Sequence, residues 1–180
     1  MNNNIKAVAV ITFLVFLFAF SGEVNAWQEP PVSQRATVSQ TIKTTVITVV
    51  YHRPGVKGRV IYGELVPYGE HWRTGANAAT TIEFSKDVTV NGEPLAAGRY
   101  GFWTIPRENG TWTLVFTSTP DVPGIPFEPG NEVLEVDTKA EAADHEEYMS
   151  FSFPVVTPES GILALRWEKL MVPINIKVGN

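Results

Sequence analysis

Period-two alternation constrains this chain more than any other feature. In 111–117, "TWTLVFT", Trp112, Leu114 and Phe116 alternate with Thr111, Thr113 and Thr117. The same rhythm runs through Met149, Phe151 and Phe153, through Leu163, Leu165 and Trp167, and through Val172, Ile174, Ile176 and Val178. Successive side chains of a strand point to opposite faces, so this pattern buries one face of a sheet and wets the other. The stretches 44–52, 80–84, 87–90, 99–106 and 132–138 read as further strands, several of them rich in β-branched and aromatic residues. Asn91-Gly92 and Asn109-Gly110 each mark a hairpin, because Asn and Gly tolerate the positive φ of tight turns. With Thr111 the second pair also matches the N-glycosylation pattern, which the hairpin explains without modification. A Pro/Gly-rich loop fills 118–130, and only 139–147 has the composition of a helical turn. About nine short strands at regular spacing predict an all-β fold, an antiparallel β-sandwich, with no internal repeat.

The sandwich is expected to be a single domain over 40–180. The chain opens with one cation, Lys6, then an apolar run over 7–20, then Val24-Asn25-Ala26. That order is a secretory signal peptide over 1–26, cut after Ala26. The run of 14 residues is short for a spanning helix, which needs about 20. Residues 27–39 are expected as a flexible lead-in, polar and Pro-rich over 27–36. There is no cysteine, so disulfides, thiolate nucleophiles, cysteine metal ligands and a lipid-modified cysteine are all excluded. Packing alone must stabilise the domain. The net charge of −5 and the lack of a basic run argue against nucleic acid as a partner. The expectation is a periplasmic or secreted protein that leaves the membrane once its signal is removed.

Motifs that carry chemistry are scarce. The sequence contains no nucleophile elbow, phosphate loop, zinc-protease helix or dinucleotide fingerprint. His52, His71 and His145 have no metal-ligand spacing, although His52 and His71 could meet in space beside Glu64, Glu70 or Glu83. They are read as surface or capping histidines, with no metal and no cofactor expected. The pairs Glu132/Glu135 and Glu146/Glu147 read as a solvated face rather than as the facing carboxylates of a glycosidase.

The exception is 53–77, "RPGVKGRVIYGELVPYGEHWRTGAN". Arg53, Lys57, Arg59 and Arg73 concentrate cations in an otherwise acidic chain. Arginine makes planar bidentate contacts with carboxylates and phosphates. The glycines of this stretch can expose backbone N–H groups to an anion. Trp72 offers a stacking face, and Asn77 can orient a ligand or cap a turn. Pro67 together with burial of Tyr68 and Trp72 is expected to make 66–77 an ordered loop. A buried Arg73 then needs a partner, a carboxylate such as Glu64 or Glu83 or backbone carbonyls.

Residues 53–106 resemble the signature of the secreted bacterial family catalogued as domain of unknown function 2911. Its core here is "LVPYG-x-x-WRTGAN", and 167–178, "WEKLMVPINIKV", is similar to the family's closing segment. The likeness covers roughly 40–178. It implies export and a β-rich domain but no known reaction, and His52 and His71 lie outside the motif. The leading expectation is a non-enzymatic binder of a small polar or anionic ligand, or of an envelope partner. Its ligand-binding residues would be Arg53, Lys57, Arg59, Trp72, Arg73 and Asn77. The alternatives are a hydrolase with His71 or Glu70 as base, Arg73 as oxyanion partner and Thr74 or water as nucleophile, and a purely structural scaffold. Gly98 is expected at positive φ where the chain enters the 99–106 strand.

Overall fold

The structure is a computed structural model that describes residues 32–122, 129 and 131–179. The expected signal peptide at 1–26 and the first five residues of the lead-in, 27–31, lie outside the described residues. Among the described residues there are ten strands: β1 (Gln34–Ile42), β2 (Thr45–Arg53), β3 (Thr80–Phe84), β4 (Val88–Val90), β5 (Glu93–Leu95), β6 (Gly98–Pro106), β7 (Thr111–Thr117), β8 (Glu132–Lys139), β9 (Glu141–Val156) and β10 (Ser160–Val178). They form two antiparallel sheets, a six-stranded one ordered β1-β2-β3-β6-β7-β8 and a four-stranded one ordered β5-β4-β10-β9. The described chain is an all-β sandwich without helices.

Alternation places the core as expected. Ile47, Val49 and Tyr51 of β2, Phe102 of β6, and Trp112, Leu114 and Phe116 of β7 point inward from the six-stranded sheet. They meet Met149 and Phe151 of β9 and Leu163, Leu165, Trp167, Ile174 and Ile176 of β10. Phe102 and Phe116 pack with ring centroids 5.2 Å apart, and Tyr51 meets Phe151 edge-on at 4.9 Å. The Asn91-Gly92 hairpin joins β4 to β5 with φ of 48° and 96°, the left-handed pair that a two-residue turn requires.

Three expectations are corrected. Strand β1 begins at Gln34, inside the expected lead-in, and pairs with β2 along its whole length. Its sequence is mostly Ser, Thr and Gln, which hides the half-buried Ala36 and Val38 that pack on the core. Residues 139–147 are not helical: from Glu141 they are strand, because β9 pairs with β10 as far as Glu141↔Met171. Pairing overrides the helical propensity of Ala and Glu here. The two strands expected at 162–168 and 172–178 are one, β10, which bends at bulges around Glu168 (φ 56°). The bending is strong enough that the Val178 N–H donates to the carbonyl of Glu159, the residue just before the strand starts (2.9 Å).

The segment between β2 and β3 fastens one sheet to the other. Its first half joins β9: Val56 N donates to Glu147 O (2.8 Å) and Met149 N to Pro54 O (3.0 Å). Its second half joins β6 where β3 has ended. Trp72 and Thr104 exchange both backbone bonds (2.8 and 2.9 Å), and Gly69 N donates to Pro106 O (2.8 Å). The glycine-rich stretch is therefore a clasp across the two layers.

Candidate functional site

The clasp orders its polar side chains largely by using them. Arg53 donates from Nε to the carbonyl of Met149 (2.9 Å) and from Nη2 to that of Tyr148 (3.4 Å). Arg59 donates to the carbonyls of Val56 and Gly55. The Lys57 backbone N–H donates to the Glu147 carboxylate (2.8 Å), while its side chain lies in an exposed turn at φ 49°. Arg73 donates from Nε to the Asn77 carbonyl (3.0 Å), so backbone takes the place of Glu64 or Glu83 as its partner at this nitrogen. Burial lowers its guanidinium below the ordinary range. Asn77 is exposed, takes φ 57°, and donates from Nδ2 to the carbonyl of Ser33, tying the loop to the start of β1 (3.1 Å).

Trp72 is 8 % exposed. Its ring stacks on Trp167 with centroids 5.7 Å apart and planes 19° apart, and meets Trp112 edge-on at 6.3 Å. Tyr62 packs edge-on to both Trp112 (5.3 Å) and Trp167 (6.2 Å). Burial, the Glu168 carboxylate and Tyr68 raise the Tyr62 phenol far above its usual value, so it stays a neutral donor, toward Trp167 O (3.5 Å). Trp72 is thus part of a four-ring core under the clasp. Tyr68, expected to be buried, is 42 % exposed. Its ring covers Gly63, where a Cβ would lie 3.0 Å from Cε2 and where φ is 93°. Glycine is required there for both reasons.

A cleft of about 430 Å³ opens beside this cluster, between the clasp and the β10 bulge. Tyr62 and Tyr68 line it with Arg59, Val60, Ile61 and Glu168. The Glu168 carboxylate accepts from the Lys169 backbone N–H (2.6 Å) and lies 4.0 Å from His145 Nδ1. Of the six residues expected to bind ligand, only Arg59 lines this cleft. Arg73 bonds back to the Asn77 carbonyl, Asn77 turns away to Ser33 at the start of β1, and Trp72 is buried in the four-ring core. Tyr62 and Glu168 carried no signal of their own in the sequence, since only the bend of β10 brings Glu168 to the clasp.

The hydrolase geometry is not assembled. Thr74 is fully buried, and its hydroxyl donates to the Trp72 carbonyl (3.2 Å) beside Thr104 Oγ1. His71 instead faces β8, with Nε2 3.4 Å from Glu132. There Glu132 and Glu135 share a hydrogen bond which, with burial and repulsion, raises the Glu135 carboxyl above the ordinary range. Glu146 pairs with Arg166 (3.1 Å). Among the described residues no three His, Asp or Glu side chains are grouped to hold a metal, and no helix is long and apolar enough to cross a membrane.

The family model described as "Protein of unknown function (DUF2911)" matches residues 33–176. The chain belongs to this family. The match takes in the clasp, both sheets and the closing β10 strand. No curated protein and no solved structure matches the chain.

Proposed function

We propose that this member of the DUF2911 family is an exported, non-enzymatic binding module that holds a small polar ligand on the 53–77 clasp. The observation that carries the reading is the cleft of about 430 Å³ walled by Tyr62 and Tyr68 with Glu168 and Arg59 at its rim. Clefts of this size hold small molecules. An exposed tyrosine ring offers an apolar face for a sugar or other ring, and a carboxylate accepts from hydroxyls. An anionic ligand fits less well than a neutral hydroxylated one. Glu168 would repel it, and the planar forks of Arg53 and Arg59 already donate to carbonyls. Export rests on the signal-peptide pattern of 1–26.

A thermal-shift screen of the mature protein against neutral sugars, short peptides and organic acids tests this. A ligand at 100 times its dissociation constant adds about 2.7 kcal/mol of stability. The shift should vanish in Tyr68→Ala and in Glu168→Gln while both variants still melt cooperatively. Absence of a shift with every neutral polyol and peptide, or one that survives both substitutions, overturns the assignment.

A further inference from the structure

A second cleft lies on the opposite, outer face of the six-stranded sheet, away from the clasp cleft. It encloses about 500 Å³ and is lined by Arg35, His52, Thr81, Arg99 and Asp121 around the apolar Val50, Ala79 and Val122. Register explains the convergence. Arg35 of β1 stands opposite His52 of β2, and Val50 opposite Thr81 of β3, which in turn faces Gly101 of β6. Glycine is required at 101, because a Cβ there would lie 2.5 Å from Thr117 Oγ1. Below the cleft, Ala79 and Val122 pack with Val115 on Trp103, which is completely buried although it points away from the sandwich core. Such a buried apolar cluster on an outer face is what a ligand floor needs.

The polar rim is unbalanced. Arg99 donates to Asp121 from its two terminal nitrogens, Nη1 and Nη2, at 2.6 and 2.7 Å. Arg35 has no ion pair among the described residues. His52 keeps Nδ1 buried without a hydrogen-bond partner, and Trp103 Nε1 is likewise buried and unpaired. Buried polar atoms without partners are rare in folded proteins. Among the described residues the cleft therefore carries one uncompensated positive charge, in a chain of net charge −5.

Asp121 shows what the site selects. A carboxylate already lies across the Arg99 fork in bidentate geometry, the arrangement arginine favours. The pair is exposed on both sides, so it is weak and easily exchanged. We propose that the cleft binds a small organic carboxylate, which replaces Asp121 on Arg99, is drawn in by Arg35, and lays an apolar body on Val50, Ala79 and Val122. Asp121 is then a built-in competitor. Removing its charge should tighten binding, whereas removing a charge elsewhere should not.

Benzoate is a suitable probe, with benzamide as its neutral isostere and inorganic phosphate as an anion without an apolar body. Binding is read from the His52 ring and Arg35 and Arg99 Nε resonances of labelled mature protein. Benzoate should shift these signals saturably, and benzamide should not. Arg35→Gln and Arg99→Gln should each weaken benzoate about tenfold or more, equivalent to about 1.4 kcal/mol. Asp121→Asn should tighten it several-fold, and Asp144→Asn, the same charge change at an exposed site on β9, should leave it unchanged. Amide spectra confirm that each variant is folded. The proposal is overturned if benzoate leaves His52 unmoved, if Asp121→Asn weakens binding or merely equals Asp144→Asn, or if phosphate binds as well as benzoate.

Discussion

Gly98 and Trp72 show how single residues are dictated by their surroundings. Gly98 has φ 157° where the chain enters β6, and a Cβ there would lie 3.2 Å from the Tyr100 hydroxyl, which donates to Ala96 O (2.8 Å). Only glycine takes this backbone region readily. Gly98→Val should therefore destabilise the protein by about 1–3 kcal/mol, and an unchanged denaturation midpoint would refute the backbone argument. Trp72 is legible as a large apolar anchor but not as a core residue stacked on Trp167. Trp72→Ala leaves a cavity among the three remaining rings, Tyr62, Trp112 and Trp167, and should cost about 3–5 kcal/mol in chemical denaturation. A ligand-stacking Trp on the surface would cost far less. Thr74 at φ 52° adds a local feature invisible in composition: a buried β-branched residue in the left-handed region, where its hydroxyl and carbonyl are both bonded.

At the scale of elements, the clasp decides how the sandwich closes. Its backbone bonds to β6 and β9 are those of a strand, although its sequence is that of a loop. The amides of Val56, Gly69 and Trp72 should accordingly exchange with solvent as slowly as those of neighbouring strands, because each is donated to a carbonyl across an interface. Fast exchange at these three positions, measured by NMR, would show that the clasp opens independently of the sheets. β7 was readable from its strict alternation and β2 from its β-branched residues. Strands β1 and β5 were not, since one is rich in Ser, Thr and Gln and the other is three residues long. The join of two segments into β10 was hidden as well, because Lys169 and Leu170 interrupt the alternation at the bulge.

For the molecule as a whole, the outer face links stability to pH through His52. Burial, and then the Arg35 charge, lower its pKa from the ordinary 6.5. The fold therefore favours the neutral ring, and the unfolded chain binds the proton more tightly. That contribution is present in full above pH 6.5 and is lost as pH falls through the lowered folded value. Arg99 and Asp121 share the cleft, and neither titrates in this window. The melting temperature should thus fall between pH 7 and pH 5, and His52→Gln should flatten that fall. An identical pH profile in the variant would exclude His52 as a source.

Local pattern alone determined that the chain is all-β, which faces of its main strands are buried, and where the Asn-Gly hairpins turn. These follow from the two-residue period of a strand and from the φ angles its turns require, both properties of near neighbours. The 53–77 stretch also stood out locally, by its density of glycine and cations. What its arginines do was decided only by the fold, because a guanidinium bonds whatever carbonyl lies closest, and those of Met149 and Tyr148 are some ninety residues away in the chain. The convergence of Arg35, His52 and Arg99 is likewise a product of strand register, with Asp121 brought in by the loop after β7, and Glu168 reaches Tyr62 only through the bend of β10. Such contacts depend on pairing between distant segments, which no window along the sequence contains.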